Sequence, residues 1–327
     1  MIIFSSNIFM EYKFNLSCFF ARNNLLLQDF FNELNGMNNK CFLLALILIS
    51  SCVFAQEETL ENAKSKLDSI YLDEVENIPS EKPKVLHAEP LYIDLIRDLG
   101  ARKGEREWNV GFGIHDNTNF DRYEALVEYE WAIIDRLGLE IEFPFSFYVD
   151  QDEADVEPIP ESRLEGLQLA AQYSFYVDPK SNVSLAFGYL HEFSVNSFRN
   201  IGSQRLFTGN VYSPFFVAAK RWTDNLHTLV YTGPIWEVGA RGFDNEFIYQ
   251  WHSNFHYMLT GTRNFIGLEI NKIYQHNELE IVLRPQMRLE ITEQFMIGIV
   301  PGIPINRGNQ RFSTFFRLIY EPAFKKH

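Results

Sequence analysis

This sequence predicts an all-β fold: a transmembrane antiparallel up-and-down β-barrel of about twelve strands, preceded by a short periplasmic or plug helix. Three observations predict it. Side-chain character alternates with period two from residue 107 to Tyr320, the alternating segments are even in number, and the connections between them alternate between short and long. Composition sets the outer bounds. The 327 residues carry 43 acidic and 29 basic side chains, a net charge of −14, which excludes nucleic acid as a partner because phosphate recognition needs clustered Lys and Arg. Mean hydropathy is −0.16, and only a stretch near residue 41 is apolar enough to consider as a crossing helix, so a helical membrane bundle is excluded. Yet 15% of the residues are aromatic. Alternating strands reconcile the two, since each lipid-facing side chain is averaged with a lumen-facing polar one.

From the N-terminus, residues 1–36 read as an upstream extension before the true start at Met37. Residues 37–55 read as a signal peptide: a basic opening ending in Lys40, the apolar run Cys41–Ser50, and Val53 and Ala55 placed for cleavage before Gln56. The rival is a lipoprotein signal, Ile49-Ser50-Ser51 before Cys52. Cys18, Cys41 and Cys52 all precede the cleavage site, so the exported chain is expected to lack cysteine and disulfides. Residues 56–104 form a linker in which Leu60, Ala63, Leu67, Ile70 and Tyr71 suit either a weak amphipathic helix or flexible chain. Further on, Pro90 suits a first helical turn, Gly100 a stop, and Leu91, Leu95 and Leu99 one apolar stripe; a short helix is expected there, with Arg97 beside it, to plug the lumen or dock a partner.

Residues 105–327 are the barrel domain. Its alternating segments lie near 107–115, 122–132, 136–148, 163–177, 182–194, 208–221, 225–237, 245–260, 264–274, 278–291, 294–303 and 310–321. In the second, Tyr123, Ala125, Val127, Tyr129 and Trp131 alternate with Arg122, Glu124, Glu128 and Glu130, with Leu126 out of phase. In the eighth, Phe247, Tyr249, Trp251, Phe255 and Tyr257 alternate with Gln250, His252, Asn254 and His256. A soluble sandwich also alternates, but its strands usually run to about five or six residues. The connections at 133–135, 177–182, 223–225, 261–263 and 292–293 are short; those at 116–121, 149–162, 195–207, 238–244 and 304–309 are mostly longer, with 275–277 the exception. Tyr148, Tyr176, Trp222, Trp236 and Tyr320 fall near segment ends, as interfacial girdles do.

The polar phase of a membrane barrel points inward, so it supplies the candidate pore-lining residues: Glu124, Glu128, Glu130, Glu140, Glu142, Gln250, His252, His256, Glu280, Arg284, Arg288, Glu290, Arg311 and Arg317. The glutamates of the second and third segments face a basic set, Arg284, Arg288, Arg311 and Arg317, either as a transverse field across a pore or as a salt-bridge network filling the lumen. His252 and His256 are four apart on a strand, roughly 13 Å at the usual rise, so no metal is expected on them, nor any cofactor. Gly111-Phe112-Gly113 reads as small inward residues, not a nucleotide loop.

The stretch His87 to Glu105, HAEPLYIDLIRDLGARKGE, followed by Glu107-Trp108-Asn109-Val110-Gly111, resembles a group of uncharacterised Gram-negative outer-membrane barrel proteins that carry it just before their first strand. The resemblance implies fold and location, the cell outer membrane, and no defined activity. The chain departs from common barrel ends by continuing past Tyr320 to His327, with Phe324 as a stand-in for the terminal aromatic. The function expected is therefore a narrow, porin-like pore for small solutes or a structural barrel that docks a periplasmic protein, with outer-membrane lipid and the barrel assembly machinery as partners. The alternative is a lipid hydrolase. His191-Glu192-Phe193-Ser194 faintly resembles the His-x-Ser-Asn region of outer-membrane phospholipases and lipid A deacylases, and His191 falls on the lipid-facing phase near an outer loop, but Ser194 falls on the opposite one.

Overall fold

In the computed structural model the described residues are 63–70, 72, 73, 76, 81–93, 95–150, 159–202, 204–239, 245–306 and 310–322. The upstream extension, the signal peptide with its two cleavage alternatives, and Phe324 lie outside them. Residues 63–70 form a short helix, α1, on which Leu67 and Ile70 are exposed and Asp68 is buried; Leu60 and Tyr71 lie outside the described residues.

The strands are β1 (Arg106–Asn117), β2 (Phe120–Ile134), β3 (Leu137–Asp150), β4 (Arg163–Leu164), β5 (Gly166–Asp178), β6 (Val183–Val195), β7 (Phe207–Arg221), β8 (Leu226–Val238), β9 (Asn245–Met258), β10 (Phe265–Gln275), β11 (Glu278–Glu290), β12 (Phe295–Pro304) and β13 (Gln310–Tyr320). Neighbours in sequence pair antiparallel, β3 pairs with β5, and β1 pairs with β13 with Trp108 opposite Tyr320. The result is a closed twelve-stranded barrel with the two-residue β4 added against the outer end of β3. Closure leaves no edge with unpaired backbone groups, the condition for a sheet in lipid.

The alternation is inverted relative to a soluble protein, and this decides between barrel and sandwich. On β9, His252, Asn254 and His256 are 1% exposed while Trp251 is 52% exposed. On β1, Glu107, Asn109 and His115 are buried while Trp108, Phe112 and Ile114 are exposed. Polar side chains face in and aromatic ones face out, as in a membrane barrel. Gly111 and Gly113 do lie on the inward phase, where Phe315 and Glu124 occupy the space a Cβ would need.

Arg106 and Tyr320 share one end, where the turns are short; in barrels of this class that end faces the periplasm. At the other end the connections after β3 and β6 span residues 151–162 and 196–206. Two outer connections are tight: 118–119, where the strands run further than their alternation indicated, and His276-Asn277, whose φ values of 52° and 64° are those of a two-residue type I′ hairpin. Tyr148 is a correction: it follows Ser146 on the inward phase of β3 and faces the lumen rim rather than an outer girdle.

Candidate functional site: a plugged lumen beneath an open vestibule

The segment before β1 lies inside the barrel, and it is not the helix its leucine spacing suggests. Its described residues between 81 and 102 form bends and one turn, with no helix. The wall takes over the backbone bonds a helix would have made internally. Ala88 N donates to His227 Nδ1 (2.9 Å), Leu91 N to Gln286 Oε1 (2.8 Å), Ile93 N to Glu269 Oε1 (3.2 Å) and Gly100 N to Ser174 Oγ (3.1 Å), while Arg97 O accepts from Gln172 Nε2 (2.6 Å). With those groups satisfied by the lumen, nothing favours helical φ/ψ over an extended path. Nor do the leucines share a stripe. Leu95 and Leu99 pack with Ala170, Ala186, Val217, Ala219 and Leu229 of β5–β8, whereas Leu91 packs with Met258, Phe265, Met296 and Val300 of β9–β12. All three are 2% exposed, and each buried leucine contributes roughly 1.5–3 kcal/mol.

Charge ties the segment to the remaining wall. Arg97, 3% exposed, donates from Nη1 to Glu107 (2.8 Å) and Glu130 (3.3 Å), and from Nη2 to Asp98 (3.0 Å). Gly138 of β3 leaves room for it: a Cβ there would lie 2.5 Å from Arg97 Cβ. Lys84 bonds Asp98 at 2.6 Å and Glu105 at 3.1 Å. Burial alone would lower the Lys84 pKa, but these two carboxylates raise it; Asp98 in turn is held well below the usual carboxylate range, Lys84 and Arg97 overcoming burial. His87, bonded to Ser184 Oγ at 2.9 Å, is pushed down to about 3 by burial, with His227 and Arg221 adding repulsion, so its imidazole is neutral. The Arg284 guanidinium lies 3.3 Å from the centre of the Tyr92 ring. At the short-turn end Arg221 grips Glu76, Arg102 forms an ion pair with Glu81, and Asp68 of α1 accepts from Asn225 and Gly261 N.

Above this segment the lumen opens into a cavity of about 860 Å³ on the outer side. Tyr92, Ile93 and Ile96 form its floor, and its wall carries eight glutamates against three arginines, Arg122, Arg163 and Arg317. Of the candidate pore-lining residues, Glu124, Glu128, Glu140, Glu142, Gln250, Glu280 and Arg317 face this vestibule. Glu130, His252, His256, Arg284 and Arg288 also point inward but are buried in side-chain networks: His252 between Gln250 and Asn271, His256 on Gln286, Arg284 on Asn271 and Ser313, and Arg288 on the Arg263 carbonyl. Two do not line the lumen. Arg311 is exposed at the outer rim in a pair with Asp116, and Glu290 accepts from Arg263 N at the 259–264 turn. The acidic and basic sets are not separate walls either, because Arg317 Nη1 comes within 3.6 Å of Glu128 Oε2, both being 2% exposed or less at the side chain. Arg284 and Arg288, lower down, are held by amide, hydroxyl and carbonyl oxygens.

Sequence reasoning missed Glu165, Glu192 and Glu237 of the vestibule wall, although Glu192 and Glu237 follow the inward phase of β6 and β8. It also missed the apolar inward patch of β7, Phe215, Val217 and Ala219, where both phases are apolar and the alternation loses contrast. His191 points outward, stacked on Phe193 (4.2 Å) and bonded to Asn210 (3.0 Å), whereas Ser194 is buried inward and donates to Glu192 (3.0 Å). The two do not meet.

Residues 83–321 match a sequence family described as HAEPLYID-like. No curated protein matches the chain. Among solved structures, an outer-membrane channel from Pseudomonas putida F1 superposes with a TM-score of 0.55 at 12% identity, covering 69% of this chain and 98% of that one. The NanC porin gives 0.48 at 11% identity, covering 66% and 100%, and the KdgM porin 0.44 at 14% identity, covering 67% and 99%.

Proposed function

The chain belongs to the HAEPLYID-like family, and from that premise we propose that it is an outer-membrane channel held shut from the periplasmic side by its own pre-barrel segment, in which residues 87–94 read HAEPLYID. One observation carries this reading: the buried segment meets the wall all round, through Glu107 and Glu130, Gln172 and Ser174, Ser184, His227, Glu269 and Gln286, while the lumen above it stays open. The exposed belt of Trp, Tyr and Phe supports a membrane location. The excess of glutamate in the vestibule raises the local concentration of cations and repels anions, so the solutes are small and cationic or neutral.

Planar-bilayer conductance tests it. The intact protein is expected to be closed most of the time, and deletion of residues 84–102, or Arg97→Ala where the deletion does not fold, is expected to open a cation-selective pore. Conductance unchanged by both would sink the plug, and silence of all three would leave a structural or docking barrel as the better reading.

A further inference from the structure

Glu128 and Glu130 hold successive inward positions of β2, and Glu142 and Glu140 stand directly opposite them on β3. Like charges in cross-strand register repel. Two guanidinium groups come close: Arg317 Nη1 at 3.6 Å from Glu128, and Arg97 Nη1 at 3.3 Å from Glu130, the latter shared with Glu107 at 2.8 Å. The Asn109 amide donates to Glu107, Glu128 and Glu130 (3.0, 2.9 and 3.0 Å). None of these reaches Glu140. That carboxylate is 6% exposed, borders the vestibule floor, and has no hydrogen bond or ion pair among the described residues. Glu140 is thus a largely buried carboxylate that meets no donor of the chain and borders the cavity, from which a ligand can reach it.

The geometry indicates which. One oxygen from each of Glu128, Glu130 and Glu140 lies within 4.8 Å of the others. Oxygens bound to one calcium ion at about 2.3–2.6 Å stand up to about 4.6–5.2 Å apart, and the three lie within that spread. An all-oxygen, anionic donor set is the choice of a hard divalent cation rather than of zinc or copper. We propose that Glu128, Glu130 and Glu140 bind a calcium ion at the floor of the vestibule. Glu142 is placed to add a ligand, and water from the cavity completes the coordination. Glu128 and Glu140 border the cavity, so the ion enters from the outer side, and Glu130 makes it a neighbour of Arg97 in the plug.

The test is isothermal titration of the detergent-solubilised, chelator-treated protein with calcium chloride. One saturable site is expected, weakened at least tenfold by Glu140→Gln and unchanged within twofold by Glu293→Gln on an exposed periplasmic turn. Where Glu140→Gln does not fold, Glu140→Asp keeps the charge, withdraws the oxygen and is expected to weaken binding at least threefold. Absence of saturable binding in the intact protein overturns the site and means that protons neutralise the cluster; equal affinity in the Glu140 variants overturns it as well. A protein that conducts but does not bind calcium refutes this site alone, and one that binds but never conducts refutes only the channel.

Discussion

The lower and upper halves of the lumen are built from the same twelve strands with the same alternation, yet one is filled and the other holds about 860 Å³ of open space. The difference lies in who answers the inward polar groups. Below, Glu107, Gln172, Ser174, Ser184, His227 and Gln286 each bond a group on the pre-barrel segment, and small side chains at Ala170, Ala186 and Ala219 make room for Leu95 and Leu99. Above, Glu124 is met by His115 and Arg122 and Glu192 by Gln168 and Ser194, all on the wall itself, and the space between the walls is open. A barrel of this size is therefore neither pore nor filled core by strand number alone; the segment that enters it decides.

Four changes sharpen that contrast. The largest effect belongs to Arg97→Ala. It strips the guanidinium from Glu107 and Glu130 while both stay buried, and removing one partner of a buried pair costs about 3–5 kcal/mol. A lowered thermal midpoint in detergent, together with faster hydrogen exchange in residues 84–102, is expected; unchanged exchange would break the contrast. Next comes Gly138→Ala, whose added methyl would meet Arg97 Cβ at 2.5 Å and the Ile96 carbonyl at 3.0 Å. Overpacking of this kind costs about 1–3 kcal/mol, read out as looser seating of the segment in an otherwise intact barrel.

Acidification follows. The folded-state pKa of His87 is depressed to about 3, so its contribution is fully present above its unfolded value near 6.5 and is lost as pH falls towards 3, by up to about 1.4 kcal/mol per unit. Protection of the segment from exchange, taken against the intrinsic exchange rate at each pH, should fall below pH 6.5, and His87→Gln should flatten that part of the profile; an identical profile in the variant would remove His87 from the seating. The smallest effect is Arg311→Ala. Its pair with Asp116 is exposed at the outer rim, and such pairs are worth about 0–1 kcal/mol. A shift in thermal midpoint comparable to that of Arg97→Ala would show that rim and plug are not distinct energetically.

The strands were legible because period two is local: every alternating segment falls within about two residues of a strand, apart from the break at Glu165 that separates β4 from β5. The vestibule was half legible, since Glu124, Glu128, Glu140 and Glu142 come from strands whose alternation is plain apart from Leu126, whereas Glu165 sits at that break. The plug's conformation was not legible. Spacing of four at Leu91, Leu95 and Leu99 is the local signature of a helix, and what overrides it, backbone bonding to His227, Gln286 and Ser174, comes from residues 74 to 195 positions away.

The most direct measurement uses a tether. A Cβ at Gly298 would lie 3.3 Å from Leu91 Cγ, close to the approach a disulfide needs, so Leu91→Cys with Gly298→Cys, in a chain whose Cys18, Cys41 and Cys52 are serine, would fix the segment to β12. Single-channel recording should then show openings under reducing conditions that vanish on oxidation and return on reduction. Openings of equal frequency and size in the oxidised and reduced protein would contradict a channel closed by this segment.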